Sequence, residues 1–305
     1  MTANRTRFPT ALMALMSAIL CSPAMAQELS PRAHWPAPVG TDVAIVSWQR
    51  NDGDILIDPS LPITGVESEI TYVQVAYQRF LDLWGRTASL QVNLPYADGT
   101  TEGTINGEFR RRQTSGLTDA RLRLTVNLKG APAMDPAGFR DLRANPQTII
   151  GASVIVQAPT GDYDGDRVIN LGTNRWSIKP AIGMIVPLRP TWLFEAEAGA
   201  WFFEDNDDFL GATREQKPVF SLELHLVKRV APGFWATLDA NYYRGGETRA
   251  GDGEWQNLQR NSRAGFTVVF PIQGRHAFRG SFSTGVATRS GGEYDIYSLS
   301  YIYAW

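Results

Sequence analysis

About twelve segments of this chain, each near ten residues long, alternate apolar and polar side chains with a period of two, and no apolar run after position 26 approaches 18 residues. A period of two puts successive side chains on opposite faces of a strand. In ARLRLTVNL (120–128), Ala120, Leu122, Leu124, Val126 and Leu128 share one face, and Arg121, Arg123, Thr125 and Asn127 the other. TASLQVNLPY (87–96), VFSLELHLV (219–227) and FWATLDANYY (234–243) repeat the scheme. Further candidates are 43–50, the least regular, then 67–80, 147–158, 174–187, 191–203, 258–271, 275–288 and 294–305. Membrane-spanning helices are excluded by the lack of a long apolar run. The one architecture by which such a chain can cross lipid is a closed barrel, since hydrocarbon offers backbone groups no other partners. The pattern therefore predicts an all-β, antiparallel, up-and-down transmembrane β-barrel of about 12 strands.

The links alternate in length. Short ones fall at DLWGRT (82–87), LRPT (188–191), APG (231–233) and IQGR (272–275), and longer polar ones around 51–66, 97–116, 159–173, 204–217, 246–257 and 289–293. An outer-membrane barrel has short periplasmic turns and longer outer loops, so the short set marks the periplasmic side and an even strand count leaves both ends there. The exception is Lys129 to Gln147 on the short-turn side, where DPAGFRDLR has Asp135 as N-cap and Pro136 at the first helical position. On the final strand Tyr297, Leu299, Tyr301, Tyr303 and Trp305 share a face. Tyrosine and tryptophan have an apolar body and a polar tip, which settles them at the membrane–water boundary.

Export is written at the front. Arg5 and Arg7 precede the apolar run FPTALMALMSAIL, and Ala24-Met25-Ala26 forms a small-residue cleavage site. Residues 1–26 read as a signal peptide cut after Ala26. Cys21 lacks the preceding small-residue pattern that lipid attachment favours, and no cysteine follows it. Residues 27–42 then form an N-terminal periplasmic segment or plug, with Trp35 and three prolines, and 43–305 the barrel. Removing Arg5 and Arg7 with the leader leaves 27 basic against 31 acidic residues, a net of −4, which argues against nucleic acid as a partner. A soluble secreted sandwich or lipocalin-like barrel would also alternate. The apolar rows of the best strands are free of charge across their middles, and a mean hydropathy of −0.21 suits a sheet with only one face in lipid.

With the apolar rows outward, the candidate lumen-lining residues that set polarity and selectivity are Arg121, Arg123, Arg175, Lys179, Glu195, Glu197, Glu223, His225, Asp239, Arg263 and Arg279. Asp119 shares the inner face. Acids fall on three adjacent strands with bases on either side, an arrangement for a transverse field or for a buried ion-pair network. Tyr297, Tyr301, Tyr303 and Trp305 are the membrane-interface and assembly residues. Catalysis is not expected. Only His34, His225 and His276 could act as imidazole bases; the first lies in the N-terminal segment, the last in a short turn, and no serine motif accompanies His225. No cofactor is called for and no metal site is expected. DYDGD (162–166) fails the EF-hand pattern because Thr173 stands where a bidentate Glu belongs. It and EDNDD (204–208) read as solvated loops, with weak divalent binding as the alternative.

LIDPSLPITGV (56–66), INLGTNRWSIKPAIG (169–183) and FFEDNDDFLGATREQKPVFSL (202–222), with the final aromatic strand, resemble the outer-membrane transporter family named for the meta-pathway of phenol degradation. The likeness runs from about residue 35 to Trp305. It implies a bacterial outer-membrane channel for passive uptake of small aromatic or other hydrophobic compounds, with those solutes and membrane lipid as partners. The C-terminal aromatic strand also resembles the signal read by the outer-membrane assembly machinery. The competing expectation is a structural or adhesion barrel with a closed lumen and working outer loops.

Overall fold

Each alternating segment has one greasy row and one polar row, and the two rows go to different solvents. In the computed structural model, which describes residues 29–56, 63–105, 107–167 and 169–305, they become the two faces of one closed wall. The expected leader and cleavage site lie outside the described residues.

Among these residues the strands are β1 (Asp42–Leu56), β2 (Ile63–Leu83), β3 (Arg86–Ile105), β4 (Glu108–Leu117), β5 (Arg121–Lys129), β6 (Ile149–Gln157), β7 (Ser177–Arg189) and β8 (Trp192–Phe203). They continue with β9 (Asn206–Phe209), β10 (Ala212–Gln216), β11 (Val219–Ala231), β12 (Phe234–Gly245), β13 (Thr248–Ala250), β14 (Gln259–Pro271), β15 (His276–Ala287) and β16 (Gly291–Ala304). Twelve of these make the barrel, each antiparallel to its neighbours in the ring β1-β2-β3-β5-β6-β7-β8-β11-β12-β14-β15-β16, and β16 pairs back onto β1 from Val43↔Ala304 to Leu56↔Gly291.

The outer row is the one the alternation assigns to lipid. Val75, Leu94, Ile182, Leu238, Phe266 and Leu299 are exposed, while Thr237, Asp239, Thr267 and Ser300, beside the last three on the inner face, are polar and buried. Exposed apolar rows on every side of a closed wall fit hydrocarbon and not water, which excludes the soluble-barrel alternative. At the short-turn rim Tyr77 and Tyr303 pack on Trp305, and Phe278 on Tyr301, with ring centroids 6.4, 5.3 and 5.7 Å apart. Tyr297 and Tyr301 face outward as expected.

Two features differ from the sequence expectation. The links 51–66 and 97–116 are largely strand: β1, β2 and β3 continue beyond the lipid-facing region, and β4 folds back on β3 from Tyr96↔Leu117 to Ile105↔Glu108. The links 204–217 and 246–257 carry a separate three-stranded sheet, β9-β10-β13. Outside hydrocarbon a strand needs no apolar row, so EFRRRQTSGL of β4 shows no alternation to detect.

The exceptional periplasmic link folds as foreseen into α1 (Pro136–Ala144), with Asp135 as N-cap accepting from Gly138 N at 2.8 Å. Its Leu142 enters a small apolar core with Ile149, Ile185, Leu193 and Val227, and with Trp35, Phe139 and Trp235 packed against it. This core sits inside the periplasmic end of the barrel. It is the floor on which the polar site is built.

Candidate functional site: the lumen and its N-terminal segment

Strand register brings the sequence-predicted charges together. Glu223 lies directly across from Glu197 and His225 across from Glu195 on β8, while His225 faces Asp239 on β12. Four carboxylates on three neighbouring strands would repel one another, so each is held by donors. Lys179 Nζ donates to Glu223 at 3.0 Å and to Glu197 at 3.3 Å, and thus bridges the like-charged pair. Arg123 donates to the same Glu197 carboxylate. His225 Nδ1 is 2.7 Å from Asp239 Oδ1, and Thr267 Oγ1 donates to Asp239 Oδ2 at 2.8 Å. Lys179, Glu195, Glu197, Glu223, His225 and Asp239 are all buried. Of the two arrangements the sequence allowed, the geometry is the ion-pair network.

The remaining donors come from a segment that strand reasoning leaves outside the wall. Residues 29–40 enter the lumen. Ser30 N donates to Glu223 at 3.1 Å, Arg32 N to Glu195 at 2.7 Å, and the Arg32 guanidinium stands 3.8 Å from Glu195. His34 Nε2 hydrogen-bonds to Glu197 at 2.8 Å and its side chain is 4% exposed, so the histidine of the N-terminal segment is enclosed by the wall. The wall makes room for it with two glycines. Gly151 and Gly183 pair across β6 and β7, and Gly183 pairs with Glu197 on β8. A Cβ at Gly183 would fall on the imidazole ring, and one at Gly151 would press on its Nδ1. Glycine here is required by close approach.

Not every predicted residue joins this network. Arg175 precedes β7 and lies at the outer mouth, where it donates to Gln216 and its guanidinium carbon is 4.8 Å from the Phe203 ring centroid. Its expected place on the spanning strand is corrected: the strand begins at Ser177, because the chain is still turning through the loop tethered to Asp119. Asp119 accepts from Gly161 N and Thr173 N at 3.0 Å each and from Thr173 Oγ1 at 2.6 Å, and so pins the link 159–173 across the mouth. Arg263 donates to the Ser283 and Tyr294 carbonyls at 3.1 and 2.5 Å. Arg121 donates to Gln157 at 3.1 Å and Arg279 to Ser300 Oγ at 3.3 Å.

The acidic loops are internally engaged: Asp162 accepts from Leu117 N, Asp164 from Asp166 N, and Tyr163 donates to the Asp208 carbonyl. Among the described residues no three His, Cys, Asp or Glu side chains stand where they could share a metal ion.

Beside the N-terminal segment lies a cavity of about 960 Å³. It reaches from the periplasmic rim, at Phe234 and α1, up past Gln78, Gln91 and Ser298 to Arg121 and Ser283. Outward of it Asn51, Tyr72, Asn261, Arg263 and Tyr294 fill the interior. The arrangement can receive a solute; its two imidazoles are turned to carboxylates, His34 to Glu197 and His225 to Asp239 and Glu223.

A family model described as "Putative MetA-pathway of phenol degradation" matches residues 51–301. No curated protein matches the chain. Among solved structures it is similar to an outer membrane channel from Pseudomonas putida F1, at 22% identity and a TM-score of 0.77, over 91% of this chain and 100% of that one. It is also similar to the β domain of the Bordetella autotransporter BrkA, at 12% identity and TM-score 0.52, over 88% and 100% of the two chains. The transport unit of the autotransporter AIDA-I from Escherichia coli aligns at 9% identity and TM-score 0.51, over 97% of each. At these identities the likeness concerns the fold, which is that of outer-membrane barrels.

Proposed function

Because the chain belongs to the family described as "Putative MetA-pathway of phenol degradation", we propose that it is a non-catalytic outer-membrane channel through which small, largely apolar molecules diffuse. The observation that carries this reading is the cavity of about 960 Å³ inside the wall, whose lining mixes polar side chains, seven arginines among them, with Phe80, Phe139, Phe234, Trp235 and Ile302. Such a mixture lets a ring slide along apolar patches while polar groups remain hydrated, as diffusion requires binding that is easily undone. The similar channel from Pseudomonas putida F1 supports the reading through its fold.

In this reading the segment 29–40 is a plug. It divides the lumen into a half sealed by ion pairs and a half left open beside it. A closed structural barrel is favoured by one observation, the same plug, so the test must compare both states. Purified protein in a planar bilayer should pass measurable current, and protein lacking residues 29–40 should pass several-fold more. Absence of current from both forms would overturn the channel in favour of the structural barrel.

A further inference from the structure

The open cavity has a sign. Its lining includes Arg32, Arg140, Arg143 and Arg229 around the periplasmic rim, with Arg121, Arg123 and Arg279 further in, and among the described residues not one aspartate or glutamate. Glu195, Glu197 and Glu223 are engaged by the N-terminal segment, Lys179 and Arg123, and Asp239 by His225 and Thr267. The plug therefore turns a chain of net negative charge into a cavity with a positive surface.

The rim cluster is built for an anion with a flat apolar body. Arg140, Arg143 and Arg229 form no ion pair with any described carboxylate, while Arg32 shares Glu195. The Arg32 guanidinium is held down to about 10 by burial, against the pull of Glu195, with Arg229 and Arg143 pushing it further in the same direction, so the three cations feel one another. Nη1 of Arg229 is a buried donor with no hydrogen-bond acceptor, although its Nη2 donates to the Pro190 carbonyl at 3.0 Å, and Nη1 of Arg32 has only Glu195 Oε1 before it, at 3.8 Å. Native interiors rarely leave such donors unmet, least of all on cations. Aromatic faces stand among them: Arg32 lies 3.8 Å from the Trp35 ring centroid and 5.6 Å from that of Trp235, and Arg143 lies 5.7 Å from that of Phe139.

We propose that this rim is a binding site for small aromatic carboxylates, with Arg32, Arg143 and Arg229 receiving the carboxylate and Trp35, Trp235 and Phe139 the ring. Guanidinium suits this task because its planar fork matches a carboxylate and its face stacks on a ring. The inference rests on the channel reading and gives it a substrate class: a solute that carries one negative charge at its polar end, held last at the periplasmic exit.

Titration calorimetry on the detergent-solubilised protein at low ionic strength tests it with three probes. Benzoate should bind at least tenfold more tightly than benzyl alcohol, which has the ring without the charge, and than acetate, which has the charge without the ring. The double variant R143Q/R229Q should lose at least tenfold for benzoate and stay within twofold for benzyl alcohol. Equal affinities for benzoate and benzyl alcohol in the unaltered protein would overturn the site, and so would a folded double variant that still prefers benzoate. The probe comparison needs no variant, so a misfolded double variant leaves the test decisive. Bilayer current is read separately: current without benzoate preference sinks the site alone, whereas benzoate preference without current sinks the channel alone.

Discussion

A single side chain, His34, shows how a residue outside the barrel wall is fixed by residues within it. Its ring fits against two glycines, and its Nε2–H is accepted by Glu197 at 2.8 Å. In Gly183→Ala the new methyl would occupy the ring's place, and the segment should leave its seat. Trypsin should then cut after Arg32, which is 13% exposed on its side chain in the docked form, and bilayer current should at least double. Continued protection of Arg32 with unchanged current would show that the glycine slot does not hold the segment. Lys179 sits between two carboxylates that register places face to face. Lys179→Met would leave that pair without its shared cation, and breaking a buried pair costs about 3–5 kcal/mol. Part of the loss is offset because Glu197 keeps Arg123 and Glu223 keeps Ser30 N. Urea unfolding from lipid vesicles should show a loss of about 3 kcal/mol; a change under 1 kcal/mol would mean the segment's donors suffice alone.

At the level of strands, lipid imposes a rule that water does not, and this decides what a sequence reveals. Leu238 on β12 is 65% exposed between Leu226 and Phe266 on the neighbouring strands. Leu238→Arg should cost about 2–4 kcal/mol, the penalty of a cation on the lipid face near mid-bilayer, while Gln78→Arg, in the cavity and across from Val43 and Gln91, should cost under about 1 kcal/mol. Vesicle unfolding of the two variants would contradict the assignment of faces if the costs were equal. The same rule made all twelve wall strands legible, and with them the inward parity of Lys179, Glu195, Glu197, Glu223 and Asp239. Beyond the bilayer the rule lapses, so β4 and the three-stranded outer sheet left no pattern. Arg229 escapes the pattern for a smaller reason: the alternation is regular only to Val227, whereas β11 continues to Ala231 and carries Arg229 on the face of His225. Nothing periodic foretells that Arg32 and His34 fold back into the lumen, since their partners are more than 160 positions away.

On the scale of the whole molecule, the lumen is shared between a docked segment and an open path, and deletion of residues 29–40 should expose four acidic side chains with Lys179, Arg123 and His225 left to balance them. Reversal potentials in a salt gradient should then move toward cation selectivity relative to the intact protein; a shift toward anions would show that the acids are not uncovered. The wall itself carries a consequence for biogenesis. Asp42 and Trp305 exchange both of their backbone hydrogen bonds at the seam between the first and last wall strands. A nascent chain that has not yet yielded its last strand is a curled sheet with two raw edges, open to any neighbouring polypeptide. The cylinder can therefore be sealed only once β16 has been made, and until then the polypeptide must be kept loose and chaperoned on its way to the bilayer.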